Sequence, residues 1–345
     1  MPKISAQRIP LRQVDNAFLY TLTNIHGHTV AVTNIGCAIQ SIKVPDRDGA
    51  LGEVVLGYND IQKYLDNPVY FGTIVGRYAN RIAGAQFSLA GTTYRLPANN
   101  GRNCLHGGPN AFEKQLWAVD SQDTHEESAS ISFQYTDPDG KNGFPGNLHV
   151  ICRYTWTNKS ELIIDYEATA DQTTIVNLTN HSYFNLVGKG DILQYLLWLN
   201  ADHYTPLDDA QIPTGELRSV RNTPFDFLHP KAIGSDIHQV GGYDHNWVLR
   251  KIESPQVPFA ASIYAPQSGR ELKCFTTQPG LQVFTTNFKD GEFSEREGRP
   301  VVRYQAICLE AQSFPDSPNQ PGFPSTVLAP EEAYRETTIY QFSVR

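Results

Sequence analysis

The sequence predicts an all-β protein on three observations. Apolar and polar residues alternate along several runs, glycine and proline interrupt those runs at short intervals, and no long segment repeats with the 3.6-residue period of a helix. The clearest run is Leu148, Val150, Cys152, Tyr154 and Trp156, followed by Leu162, Ile164, Tyr166 and Ala168. Between them Thr157-Asn158-Lys159-Ser160 predicts a hairpin turn. Ile131, Phe133 and Tyr135 make an earlier run, and Phe87/Leu89 and Tyr94/Leu96 flank a turn at Gly91. Asp48-Gly49 and Asp139-Gly140 are further turn signals. The 26 glycines and 22 prolines supply the breaks that many short strands need. Asn59 to Leu65 predicts one or two helical turns, capped by Asn59 or Asp60. Many short strands at modest spacing indicate a sandwich or a barrel. With no internal repeat, low-complexity tract or linker, one domain is expected over residues 1–345.

Composition narrows the function. A chain with 40% hydrophobic and 19% charged residues folds around a core. Its net charge of -8 and dispersed lysines and arginines give no nucleic-acid footprint. No apolar run approaches the ~20 residues of a membrane helix, and MPKISAQRIP shows no signal-peptide h-region. Cys37, Cys104, Cys152, Cys274 and Cys308 form no Cys-x-x-Cys pair, and four of them sit among apolar or aromatic neighbours, as small buried hydrophobes do. Reduced thiols and the absence of an export signal point to the cytoplasm. Glycine-rich nucleotide loops, HExxH and GxSxG are all missing, which leaves nucleotide cofactors, zincin chemistry and a hydrolase nucleophile elbow unsupported.

Against this background, polar clusters stand out. They are Gly76 to Ile82, Asn103 to Gly108, Asn177 to Asn185, Gly242 to Asn246, Gln278 to Gln282 and Leu309 to Gln312, the last followed by Pro315-Asp316 and Asn319-Gln320. Asparagine, arginine, histidine, aspartate, glutamine and glutamate beside aromatic rings suit a sugar. Its hydroxyls need paired donors and acceptors, and its apolar face packs on rings. Each cluster also has a plainer meaning. Asn80-Arg81 alone reads as a turn with a surface cation, His106 before two glycines can open a tight turn, and Asp244 can be a turn residue. His181 lies in an unusually polar strand end, which favours function. Glu310 follows the apolar run Ala306 to Leu309, and a carboxylate there is expected at an exposed strand end or paired, because burial alone is costly. His149, His203, His229 and His245 read as structural or surface residues.

Taken in order, GRYANRIAGAQFSLAGTTYRL, CLHGGPNAFEKQLW, GFPGNLHVICRY, NLTNHSYFNL, ADHYTPLDDAQIPTGELRSV with NTPFDF, GYDHNW, TQPGLQVFTTN and CLEAQSFPDSPNQPGFPSTVL resemble motifs of the aldose 1-epimerase family. They run from about Gly76 to about Leu328, and with the flanking strands the resemblance covers essentially the full chain. It implies a large antiparallel β-sandwich of the galactose mutarotase type, with the sugar in an open cleft. The implied reaction is interconversion of the α and β anomers of a free hexose such as D-galactose or D-glucose, by ring opening and closure. By motif, Glu310 matches the family's general base, His181 its general acid, and His106 a second histidine near the ring oxygen. Asn80, Arg81, Asp244 and Gln282 match residues that bind sugar hydroxyls. The resemblance implies no metal and no organic cofactor, an aldohexose as partner with neither nucleic acid nor membrane, and a monomer or homodimer. Three alternatives are a non-catalytic sugar-binding module, an epimerase of hexose 6-phosphates, which needs extra cations, and a glycosidase using two carboxylates.

Overall fold

The computed structural model describes residues 1–11, 14–251 and 256–345. Antiparallel strands dominate it. Nine of them form the main sheet, in the order Ala118–Thr124, Ser128–Asp137, Leu148–Thr157, Glu161–Ala170, Tyr334–Val344, Arg270–Thr276, Phe259–Tyr264, Leu196–Leu199 and Lys231–Ala232. A five-stranded sheet comes from the N-terminal part, Lys3–Ile9 through Leu51–Glu53. A six-stranded sheet runs Tyr183–Phe184, Ile307–Gln312, Gly280–Phe284, Asp244–Val248, His203–Thr205 and Arg218–Ser219.

Alternation decides how the sheets stack. Along Leu148–Thr157 every second residue is buried, and the partner strand Glu161–Ala170 continues the pattern in register, with Tyr154 opposite Ile164 and Cys152 opposite Tyr166. This inner face shares one apolar cluster with Leu22, Val30 and Ile42 of the five-stranded sheet and with Trp247, Leu281, Val283 and Leu309 of the six-stranded sheet. The arrangement is therefore a sandwich, with the main sheet as one layer. Polar tips of buried rings tie the layers together. Tyr154 Oη donates to Cys37 O at 2.7 Å, Trp156 Nε1 to His28 O at 3.0 Å, and Tyr340 Oη to Leu309 O at 2.6 Å. Each bond satisfies a group that would be costly to bury alone.

The expected helix is present as a 3₁₀ turn over Ile61–Asp66, where Asp60 accepts from Gln62 N. All five cysteines are buried and free. Among the described residues, no helix is long and apolar enough to cross a membrane.

Candidate active site

The site grows from the same alternation. Along Ile307–Gln312 the side chains of Ile307, Leu309 and Ala311 join the central core. Cys308, Glu310 and Gln312 must then point to the other face. On the neighbouring strand Gln282 pairs with Glu310, and Asn246 pairs with Gln282 one strand further. A polar row thus crosses three strands on the face away from the core. Phe284 and Asp244 lie opposite each other in the adjacent row.

Glu310 departs from the sequence expectation. It is the fourth residue of a six-residue strand, not a strand end, and is 2% exposed. Its Oε2 has no hydrogen-bond partner and lies 3.5 Å from His181 Nε2. The alternating sequence places Glu310 on the correct face, but it does not show what covers that face.

His181 sits between the two-residue strands Thr179–Asn180 and Tyr183–Phe184. Its N–H donates to Thr73 O and its carbonyl accepts from Gly72 N, both at 2.9 Å. Its ring stacks on Tyr183, with centroids 4.9 Å apart, and meets the His106 ring edge-on at 5.4 Å. Burial lowers the His181 pKa to about 3. Burial also holds the Glu310 carboxyl well above the usual carboxylate range, with the nearby Asp244 charge adding to this and Arg81 opposing it. Both groups are therefore driven toward their neutral forms.

His106 follows the short strand Cys104–Leu105, which pairs with Arg81–Ile82. His106 N donates to Asn80 O at 3.0 Å, and Asn80 N donates back to His106 Nδ1 at 3.1 Å. An Nδ1 that accepts leaves the proton of a neutral imidazole on Nε2. Burial, with the neighbouring His181 and Arg81, keeps this ring well below the usual imidazole range. His106 is thus a fixed neutral donor. His106, His181 and Glu310 place their donor atoms within 4.8 Å of one another, a set chemically able to hold a zinc-like ion. To serve as a cage, however, His106 would have to move its proton to Nδ1 and face it against the Asn80 N–H. The trio is better arranged for proton transfer.

Arg81 is 7% exposed. Its Nε donates to Asn100 Oδ1 at 3.1 Å, its Nη2 to Gln211 Oε1, and its Nη1 lies 3.7 Å from Asp244 Oδ2. Asp244 Oδ1 accepts from Gln282 Nε2 at 2.6 Å.

Six of the seven residues singled out in the sequence line one cavity of about 210 Å³: Asn80, Arg81, His106, His181, Asp244 and Glu310. Gln282 does not line it. It is buried beneath Asp244 and reaches the cavity through that carboxylate. Sequence reasoning missed the apolar wall of Tyr70, Phe284, Phe288 and Phe293. Phe284 was accessible by period two, as the same-face neighbour of Gln282. Asn100 and Gln211, which tether Arg81, were not singled out, although Gln211 lies within the motif ADHYTPLDDAQIPTGELRSV. A larger depression of about 540 Å³ lies on the main sheet around Arg153, Asp165, Glu167 and Arg335. Its arginines are already paired, Arg153 with Asp123 and Arg335 with Glu167, each at 2.9 Å. It offers no histidine beside an unpartnered carboxylate, so the smaller cavity is the candidate site. Of the other histidines, His203 pairs with Asp202 on the surface, His229 is exposed, and His149 bonds Thr136. His245 packs against Phe225, with ring centroids 4.6 Å apart.

Comparison with known proteins gives a consistent picture. The sequence profile of the aldose 1-epimerase family matches residues 19–341. The chain is 43% identical to the galactose mutarotase of Bos taurus over 319 residues, 91% of each chain. It is 38% identical to the aldose 1-epimerase of Escherichia coli (strain K12) over 334 residues, 94% of each. The crystal structure of an aldose epimerase homologue from C. elegans superposes with a TM-score of 0.89 at 30% identity, covering 95% of this chain and 99% of that one.

Proposed function

The chain belongs to the aldose 1-epimerase family and is a mutarotase, an isomerase of small sugars, and from that premise we propose how its residues divide the work. Glu310 is the general base that takes the proton from the C1 hydroxyl. His181 is the general acid that protonates the ring oxygen O5. The observation that carries this assignment is the unpartnered, buried Glu310 Oε2, 3.5 Å from His181 Nε2 at the cavity wall.

The chemistry follows from burial. The reacting form of the site is the ionised tautomer of the pair, Glu310 carboxylate and His181 imidazolium, reached from the neutral pair by moving the shared proton onto His181. The C1 hydroxyl proton goes to Glu310, the C1–O5 bond breaks, and O5 takes the proton from His181. The products are the open aldehyde and a neutral pair, the forms that burial favours. Desolvation of the site thus works in the direction of ring opening. Rotation about C1–C2 presents the other face of the aldehyde, and the two proton transfers reverse as the ring closes. His106, held as a donor at Nε2, stabilises charge on O5 while the bond breaks. Asn80, Arg81 and Asp244 hold sugar hydroxyls, Gln282 fixes Asp244, and Phe284 and Tyr70 offer faces for the apolar side of the ring.

The substrate we infer is a free aldohexose, with D-galactose first, as the names of the relatives suggest. Arg81 is the only cation lining the cavity among the described residues, which argues against a sugar phosphate. Five buried free thiols support a cytoplasmic location. The shared apolar cluster supports treating residues 1–345 as one domain, working as a monomer or homodimer.

Glu310→Gln and His181→Asn test the assignment. Each is expected to bind galactose, followed by tryptophan fluorescence, while turnover falls by about 10²–10⁴-fold. Turnover close to that of the unaltered enzyme in either variant removes that residue from its role.

A further inference from the structure

We propose that Gln211 is a positioning residue that sets which edge of Arg81 meets the sugar. This rests on the reading above that Arg81 binds substrate. Gln211 sits in the connection between His203–Thr205 and Arg218–Ser219, far in sequence from Arg81, whose guanidinium it meets.

The connection is built to present this side chain. Asp208 Oδ1 accepts from the N–H groups of Ala210 and Ile212 at 2.8 and 2.9 Å, and Asp208 O accepts from Gln211 N at 2.9 Å. This tight turn puts Gln211 in the left-handed region at φ 60°. The loop is also anchored on both flanks. Asn103 Nδ2 donates to Ala210 O at 3.2 Å, and Gln320 Nε2 donates to Pro213 O at 3.1 Å. Ile212 and Pro213 are buried. Gln211 itself is exposed, and its amide oxygen turns inward to accept from Arg81 Nη2.

The consequence lies in how the guanidinium is used. Its donors form a rigid planar fork. Asn100 occupies Nε and Gln211 occupies Nη2, both through neutral amide oxygens. The guanidinium is therefore held in place from two sides, and its ion pair is with Asp244. Nη1 is left facing Asp244 at 3.7 Å, at the cavity wall. Without Gln211 the fork can swing about its Asn100 tether and spend its time away from the sugar. The loss should appear in substrate binding, because Gln211 touches no reacting atom.

Steady-state polarimetry of the full chain on galactose tests this. Gln211→Ala is expected to raise KM about tenfold, the scale of one hydrogen bond to a charged group, with kcat changed by less than about twofold. Gln211→Glu keeps an acceptor at the same reach and is expected to restore KM. In an Arg81→Lys background, where the fork is gone, Gln211→Ala should add nothing. Asp209→Asn, exposed on the same loop, is the control for loop damage. An unchanged KM in Gln211→Ala overturns the proposal, as does a fall in kcat at constant KM or a failure of the Glu variant to rescue. If Arg81→Lys itself leaves KM unchanged, the reading of Arg81 as a sugar ligand fails. If Arg81→Lys raises KM and Gln211→Ala does not, only the role of Gln211 fails.

Discussion

His181 and Glu310 each occupy surroundings that oppose their charge, and this separates activity from stability as the pH falls. In the proposed mechanism the pair works with one shared proton. Activity is lost on the acid side only when a second proton arrives, and His181 resists it down to about 3. The profile of kcat/KM against pH is therefore expected to show no step near the ordinary imidazole value of 6.5. A step there would mean that free His181 titrates normally. Stability behaves differently. Between 6.5 and about 3 the unfolded chain binds a proton at this histidine and the folded chain does not. A depressed folded pKa gives stability that is complete above the unfolded value and is lost as pH falls toward the folded one. Glu310, whose carboxyl is held up, acts in the opposite sense above its ordinary value of 4.5. The pair's decline in denaturant midpoint is therefore expected between 4.5 and about 3. His181→Asn should make the slope shallower, and an identical slope contradicts the burial assigned to the ring. Residue types were legible in the sequence here, but their environment was not. Glu310 was expected exposed or paired because its strand gives no sign of the loops above it.

Strands with enough length for a period could be read directly. The turn expected at Thr157 to Ser160 joins Leu148–Thr157 to Glu161–Ala170. The two-residue strands that hold His181, His106 and Arg81 could not be found that way, since two residues have no period. Their positions depend on turns instead, and Gly107 shows how tightly. It has φ 82°, and a Cβ there would run into Gly76 O and lie 2.7 Å from Arg77 N. Gly107→Ala is expected to destabilise the fold by roughly 2–4 kcal/mol, from left-handed strain and backbone overlap. It should also displace His106 and so reduce turnover beyond what the lost stability explains. Urea unfolding together with polarimetry checks both, and an unperturbed variant would show that this turn does not hold the site.

On the scale of the whole molecule, the sandwich brings together residues spread from Asn80 to Glu310, and no pattern within one segment could have joined them. The resemblance of successive motifs to the aldose 1-epimerase family did so in the sequence, and apart from Phe284 the aromatic wall and the tethers of Arg81 became visible only with the fold. The cavity is proposed to open and re-close the ring of a free aldohexose with its own acid and base. The most direct measurement is polarimetry of freshly dissolved α-D-galactose, with and without the protein, in buffer containing EDTA and corrected for spontaneous mutarotation. The predicted result is an acceleration proportional to protein concentration, with no change in rotation for methyl α-D-galactoside, whose ring cannot open. No acceleration with galactose, glucose, xylose or arabinose, or a change in the methyl glycoside, would contradict it.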